Sequence, residues 1–156
     1  MKNRNLTNGF TFVELVVVVG IFIVLLSVLL ITVNPSEQYR VASDEKRMRD
    51  VARILNALEK WLDDGENTVD DLNSGKGIPK EPKDIGSGED QVNLCRDLVP
   101  KYLNNLPYDI DYTNTYYNDC DDYYTGYDIV STTSPDYQII ISAPNSGYRK
   151  SIVLER

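Results

Sequence analysis

The sequence predicts an α+β protein in which a long N-terminal helix, apolar in its first half and amphipathic in its second, packs on a small antiparallel β-sheet. Residues 10–33 are an almost unbroken apolar run, and the segment after them repeats apolar residues at helical spacing. The C-terminal part of the chain instead holds short β-branched segments separated by turn residues. A long helix followed by a run of strands is the order expected of an α+β domain.

The apolar run is long enough to cross a membrane. Its polar or helix-weakening residues are Thr11, Glu14, Gly20, Ser27 and Thr32. A helix over residues 10–33 would extend about 36 Å, more than the roughly 30 Å of a bilayer's hydrocarbon core. Lys2 and Arg4 precede the run, which predicts a cytoplasmic N-terminus and an extracytoplasmic remainder. The alternative is a secretory signal peptide, but its small-residue cleavage site is missing from "LLITVNPSEQ".

Glu14 is the single ionisable residue within the apolar run. A carboxylate at membrane depth is costly, so it marks a functional site with a partner to be named. The alternative is a glutamate that reaches the membrane surface as an ordinary anchor residue.

The stretch "GFTFVELVVVVGIF" resembles the class III signal of type IV pilins and type II secretion pseudopilins. A short basic leader ends at Gly9, an aromatic residue follows, and glutamate is the fifth residue after the glycine. The resemblance implies that a prepilin peptidase cleaves between Gly9 and Phe10 and that Phe10 becomes N-methylated. Residues 1–9 would be the leader, 10–33 the transmembrane and filament-core helix, and 34–156 an extracytoplasmic head with the pilin fold.

The same resemblance implies an assembly and its partners. Glu14 of one subunit would pair with the amine of Phe10 on a neighbour, and the pairing would penalise any register that leaves Glu14 alone. The partners would be copies of the chain itself, the prepilin peptidase, an inner-membrane assembly platform and an assembly ATPase. The subunit would be a single-pass inner-membrane protein before assembly and part of an extracellular or periplasmic filament afterwards.

The function that follows is a structural subunit of a type IV pilus-like filament for adhesion, motility or DNA uptake. Two alternatives stay open: a type II secretion pseudopilin, and a membrane-anchored binding domain that does not polymerise. An acidic balance of 24 Asp and Glu against 16 Lys and Arg disfavours a surface made for nucleic acid, although a local basic patch is left open. The chain has no histidine and no phosphate-loop motif, so an enzyme is not expected.

Residues 35–64 predict a second helix. Asn34 suits a cap and Pro35 a first helical position, so a kink or break is expected there. The apolar stripe is made by Met48, Val51, Ala52, Ile54, Leu55, Leu58, Trp61 and Leu62. The opposite face, predicted to be mostly solvated, carries Asp44, Glu45, Arg47, Arg49, Asp50, Arg53 and Lys60.

The rest of the head is predicted in three pieces. Residues 65–93, rich in Gly, Pro, Asp and Lys, read as a variable surface loop. Residues 94–156 are predicted to hold the disulfide-linked region and the sheet. Within them, residues 94–103 are a candidate short helix. "GYDIVS", "YQIIISA" and "KSIVLE" predict three antiparallel strands, with "PNSG" as a hairpin connection.

Two candidate sites lie in the head. Cys95 and Cys120 are an even pair in an exported domain, which predicts a disulfide rather than two unrelated thiols. Asp109, Asp111, Asp119, Asp121 and Asp122 are hard oxygen donors that suit calcium, although the spacing is not that of an EF-hand. The alternative is an acidic, tyrosine-rich surface loop without a cofactor, in which about half of the tyrosines pack the sheet. Those tyrosines are Tyr108, Tyr112, Tyr116, Tyr117, Tyr123, Tyr124, Tyr127 and Tyr137.

Overall fold

The computed structural model describes residues 9–32, 34–65, 67–132, 138–145 and 152–155. The chain divides into two compact units, Met1–Gln38 and Tyr39–Arg156. The first helix, α1, covers Phe12–Thr32, and the second, α2, covers Pro35–Asp63. A break between the helices is therefore present where the sequence predicts one, because proline disfavours helical geometry in the residue before it.

α2 follows the sequence prediction closely at both ends and on its apolar face. It begins at Pro35, whose missing N–H is not needed in a first turn, and the N–H of Gln38 donates to the carbonyl of Asn34. Val51, Ile54 and Leu58 are fully buried, as their spacing predicts.

The sheet has five antiparallel strands. They are β1 (Lys83–Gly86), β2 (Tyr116–Asp119), β3 (Asp122–Ser131), β4 (Ile139–Ala143) and β5 (Ile152–Glu155). Their order is β1-β3-β4-β5, and β2 pairs with the first part of β3. The three predicted strands are confirmed as β3, β4 and β5, and the α+β class is confirmed with them. The connection predicted at "PNSG" lies largely outside the described residues.

The prediction of a plain surface loop over residues 65–93 is wrong. The segment contains a 3₁₀ turn at Val69–Asp71, the short helix α3 at Leu72–Gly75, and strand β1. Leu72 and Ile85 are fully buried. α3 and β1 each place a single apolar side chain in the core, and Val69 of the 3₁₀ turn is partly buried against it, so no periodic pattern marks these elements in the sequence.

The candidate helix at 94–103 is shorter than predicted. The observed helix, α4, covers Cys95–Leu98. Val99 follows with an extended backbone (φ −104°, ψ 136°), which is the conformation that Pro100 imposes on the residue before it.

One hydrophobic core joins these elements. Its fully buried members come from α2 (Val51, Ile54, Leu58), from the segments before β2 (Leu72, Ile85, Leu94, Leu98, Leu106) and from the sheet (Tyr127, Ile129, Ile141). The core therefore fixes α2 against the sheet and holds the loop before β2 in place.

Candidate functional site

The first turn of α1 places Glu14 beside a capping residue. The backbone N–H of Glu14 donates to Oγ1 of Thr11 (3.2 Å), so Thr11 caps the helix. A carboxylate in the first turn also interacts favourably with the positive, N-terminal end of the helix dipole. Gly9 and Phe10 precede this cap in non-helical backbone, and the Phe10 side chain is exposed.

The described side chains of α1 are exposed around the whole helix. Exposure runs from 40% at Val18 to 82% at Ile31, and residues Phe12–Ile31 are long and apolar enough to cross a membrane. A helix that is apolar all round is stable only when lipid or other helices cover it. By length and composition alone it fits either a membrane anchor or a signal sequence.

The prediction of a solvated charged face on α2 is wrong for three residues. Asp44, Arg47 and Asp50 are 4%, 5% and 6% exposed. Arg47 donates from Nε to Oδ2 of Asp109 (2.8 Å) and from Nη1 to Oδ1 of Asp44 (2.8 Å). Helical spacing places these residues away from the apolar stripe, but Arg47 is bonded by Asp109 and Asp50 by Tyr127 of β3.

Arg47 stays charged in this surrounding. Burial lowers the pKa of Arg47, but the hydrogen bonds with Asp109 and Asp44 outweigh it, so the net shift is upward. The Nη2 atom of Arg47 also lies 3.6 Å from Oδ2 of Asp111. One buried cation therefore holds carboxylates from both α2 and the loop before β2.

Asp50 is the centre of a second group of charged and polar side chains on α2, next to the group around Arg47. Its Oδ2 accepts from Nζ of Lys46 (2.6 Å) and from the hydroxyl of Tyr127 (3.1 Å). Lys46 also donates to the carbonyl of Tyr108 (3.0 Å). Because Tyr127 belongs to β3, the cluster ties α2 to the middle of the sheet as well as to the loop.

The disulfide between Cys95 and Cys120 is confirmed, with the two Cα atoms 5.1 Å apart. It joins α4 to the turn between β2 and β3. The side-chain amide of Asn93 donates to the carbonyl of Cys120 (3.2 Å), and Arg96 pairs with Asp121 (2.5 Å) beside the bridge. The bond therefore closes a chain segment that has little regular structure of its own.

Reduction of this disulfide should lower the free energy of unfolding by about 3 kcal/mol, because it opens a loop of 25 residues in the unfolded chain. Denaturation of the protein with and without reductant, followed by fluorescence of Trp61, measures the loss. Alkylation before mass spectrometry is the control. Exported protein that takes up alkylating reagent on both cysteines without reductant would contradict the bridge.

The five carboxylates predicted to bind calcium are divided between two places. Asp109 and Asp111 hold Arg47, whereas Asp119, Asp121 and Asp122 lie at the β2–β3 turn. At that turn Oδ1 of Asp119 accepts the backbone N–H groups of Asp121 (2.8 Å) and Asp122 (2.9 Å). Over the described ranges, no three His, Cys, Asp or Glu side chains are grouped so as to hold a metal ion.

We therefore expect the melting temperature to be the same in calcium and in chelator. Asp109, Asp111 and Asp121 already have cationic partners, and Asp119 serves as a turn acceptor. Thermal melting followed by circular dichroism measures this. A clear drop of the midpoint in chelator, restored by calcium, would show instead that these carboxylates gather around an ion.

Two carboxylates that face each other across β1 and β3 were not predicted from the sequence. Asp84 and Asp128 are direct cross-strand partners, and the hydroxyl of Tyr124 donates to Oδ1 of Asp84 (3.3 Å). Partial burial, together with a hydrogen bond and charge repulsion from Asp84, raises the pKa of Asp128 to about 7. The two carboxyl groups thus share a proton below neutral pH. The sequence positions, 44 residues apart, give no sign of this pairing.

The contribution of Asp128 to the stability of the head should fall as pH rises from about 4 to about 7, because its folded pKa lies above the ordinary aspartate value of about 3.9 and the folded state binds the extra proton in this window. Asp128→Asn keeps a hydrogen-bond donor and removes the charge. At pH 8 we expect it to be more stable than the wild type by about 1–2 kcal/mol, after allowing for solvent screening, with no gain at pH 4.

Urea denaturation at the two pH values measures the effect, and Glu81→Gln, an exposed carboxylate, is the matched control. Equal stability of Asp128→Asn and wild type at pH 8 would contradict the shared proton.

The tyrosines divide between core and surface, but the hydroxyls of the two buried ones are bonded inside the protein, whereas the sequence predicts hydroxyls that reach water. Tyr123 and Tyr127 are buried and Tyr112 and Tyr116 are exposed, while Tyr137 lies outside the described residues. The hydroxyl of Tyr123 accepts from the N–H of Leu94 (3.1 Å), and burial raises its pKa. The buried tyrosines therefore act as structural residues with bonded hydroxyls.

Comparison of the chain with models of protein families, with curated proteins and with solved structures gave no match. The site residues therefore rest on this chain's own sequence and geometry.

Proposed function

We propose that the chain is a structural subunit of a type IV pilus-like filament. A prepilin peptidase removes residues 1–9, and α1 holds the subunit in the membrane until it polymerises. The filament core is then a bundle of α1 helices, and the head, residues 34–156, forms the filament surface. The partners are further copies of the chain, an inner-membrane assembly platform and an assembly ATPase.

The observation that supports this proposal is a 21-residue apolar helix, exposed along its described length, with one carboxylate in its first turn. A membrane anchor needs the apolar surface but gains from the carboxylate only its interaction with the helix dipole, about 0.3–1 kcal/mol, against a cost of about 2.5–3.5 kcal/mol at the centre of a bilayer and less near its surface. A polymerising helix uses both. Its apolar surface packs on neighbouring helices, and Glu14 meets the amine that cleavage creates on Phe10 of another subunit.

In this proposal Glu14 mainly determines the axial alignment of neighbouring α1 helices. A desolvated ion pair adds little net stability, but a neighbour packed out of register leaves a buried charge alone. The pair therefore selects the one axial stagger at which each Glu14 faces an amino terminus.

Two other functions use the same helix. A type II secretion pseudopilin would assemble through α1 into a short periplasmic filament, and a membrane-anchored binding domain would not assemble. Long surface fibres would favour the pilus, whereas a calcium requirement for the stability of the head would favour the pseudopilin.

The N-terminal sequence of protein extracted from membranes tests the proposal. We expect N-methylated Phe10 as the first residue, with the mass of residues 10–156 plus one methyl group. Protein that retains Met1, or that begins downstream of the apolar run, would refute processing as a pilin.

A further inference from the structure

Two polar cavities adjoin each other where α3 and α4 meet the segment that follows β1. Their volumes are about 290 Å³ and about 200 Å³, and both are lined by Asn73, Lys76, Glu89 and Gln91. Because the cavities share these four residues, they make one groove, called the Asn73 groove below. The larger cavity is close to the lower end of the range of about 300–1,000 Å³ that is usual for sites of small ligands.

The side-chain amide of Gln91 is held in one orientation in this groove. Its Oε1 accepts the backbone N–H of Gly88 (2.8 Å). The amide also occupies the space that a side chain at Gly86 or Gly88 would need, since a Cβ atom at position 88 would lie 2.8 Å from Oε1 and 3.0 Å from Cδ. The oxygen is thereby used, and the Nε2 group is a hydrogen-bond donor without a partner among the described residues.

Asn73 presents a second amide in the same way. Its backbone lies in the left-handed region (φ 55°, ψ 43°), which is uncommon for a residue other than glycine. The backbone N–H of Asn73 donates to Oδ2 of Asp97 (2.9 Å), and its Oδ1 accepts the N–H of Asn93 (2.9 Å). Its Nδ2 group bonds to nothing within the described ranges. Two amides with fixed oxygens therefore leave their NH₂ groups for a ligand, and fixing them beforehand lowers the entropic cost of binding.

The charges that line the groove cancel, although the chain as a whole carries a formal charge of −8. They are three cations and three carboxylates, namely Lys76, Lys83, Arg96, Glu89, Asp90 and Asp121. Four of the six are joined in two ion pairs, whereas Lys76 and Glu89 have no charged partner in the part of the chain that the structure describes. With no excess of either sign, the groove suits a neutral ligand better than an anion or a cation.

We propose that the Asn73 groove binds a neutral glycan through its hydroxyl groups. A hydroxyl both donates and accepts hydrogen bonds, so it needs both kinds of partner. The amides of Asn73 and Gln91 and the amine of Lys76 are the donors, and the carboxylate of Glu89 is the acceptor. Two adjoining cavities give room for more than one sugar ring. The inference does not depend on the proposed function, because every residue that it uses lies in the head.

The test applies the full-length chain, in the sugar-free detergent lauryldimethylamine oxide, to a printed array of neutral and acidic glycans. The neutral glycan that binds best is then titrated into ¹⁵N-labelled protein, and the side-chain NH₂ signals of Asn73 and Gln91 are followed by NMR. Gln91→Glu keeps the oxygen that Gly88 uses but removes the NH₂ group, and Lys76→Met removes the amine. Gln38→Glu, at an exposed position that does not line the groove, is the matched control.

We expect a neutral glycan to shift both NH₂ signals, and each groove variant to bind it at least about fivefold more weakly because one hydrogen bond is lost. The control should bind like the wild type, and unchanged backbone amide spectra show that the variants are folded. Binding of no neutral glycan, or NH₂ signals of Asn73 and Gln91 that stay in place in the wild type, would overturn the inference. Binding that requires a carboxylate, sulfate or phosphate on the glycan, and that only Lys76→Met abolishes, would assign the groove to an anion and also overturn it.

Discussion

Arg47→Met should lower the free energy of unfolding by about 3–5 kcal/mol, the largest loss expected for any single substitution in the head. Arg47 is 5% exposed and is the cation that Asp44 and Asp109 share. Methionine fills much of the same space but removes the buried cation with which Asp44 and Asp109 pair. Against the 5–15 kcal/mol typical of a whole domain, that loss leaves the head close to unfolding at about 37 °C.

Denaturation of the full-length protein in detergent, followed by fluorescence of the single tryptophan, Trp61, measures this change. Arg49→Met is the matched control: the residue lies two positions further along α2, its side chain is 66% exposed, and it pairs at 3.8 Å with Glu45, which is also exposed. The control should cost less than about 1 kcal/mol. An equally small cost for Arg47→Met would mean that the buried cluster contributes no stability.

A double variant separates the lost cation from lost packing. Arg47→Met combined with Asp109→Asn removes one buried charge from each side of the pair. We expect the double variant to be more stable than the sum of the two single losses predicts, by about 1–3 kcal/mol. Strict additivity would show that Arg47 and Asp109 do not interact.

Glu14→Ala should abolish filament assembly and leave the head folded. An amine buried without its counter-charge costs about 3–5 kcal/mol for each subunit contact, which reduces association more than about a hundredfold. Insertion of the helix in the membrane should instead improve, because alanine costs less there than glutamate. Counting of filaments by electron microscopy, together with the amount of subunit in the membrane fraction, measures both effects.

Ser27→Ala is the control within the same helix. Ser27 is also a polar residue of α1, but its hydroxyl donates to the carbonyl of Ile23 (2.7 Å), so it needs no partner on another chain. Filaments should form normally in this variant. If Glu14→Ala also forms normal filaments, Glu14 does not determine the axial register of the subunits.

Features that depend on local pattern could be predicted from the sequence. The helical spacing of Val51, Ile54 and Leu58 and the β-branched strands around Ile129 and Ile141 are periodic, and both were found. The disulfide was predictable because two cysteines in a domain predicted to be exported allow a single pairing.

Features that depend on long-range contact could not be predicted in the same way. Asp44 and Arg47 are spaced three residues apart on α2, which suits an exposed ion pair as well as a buried one, and only the loop carrying Asp109 decides between them. β1 has one apolar residue, Ile85, too few for a strand pattern. The pairing of Asp84 with Asp128 follows from the register of β1 on β3, which no local signal fixes.

The position of Glu14 in density from a native filament tests directly whether Glu14 pairs with the amino terminus of a neighbouring subunit. We expect its carboxylate within about 4 Å of the amino terminus of Phe10 on a neighbouring subunit, inside a core of packed α1 helices. A filament in which Glu14 lies far from every amino terminus, or a processed protein that forms no filament at all, would contradict the account.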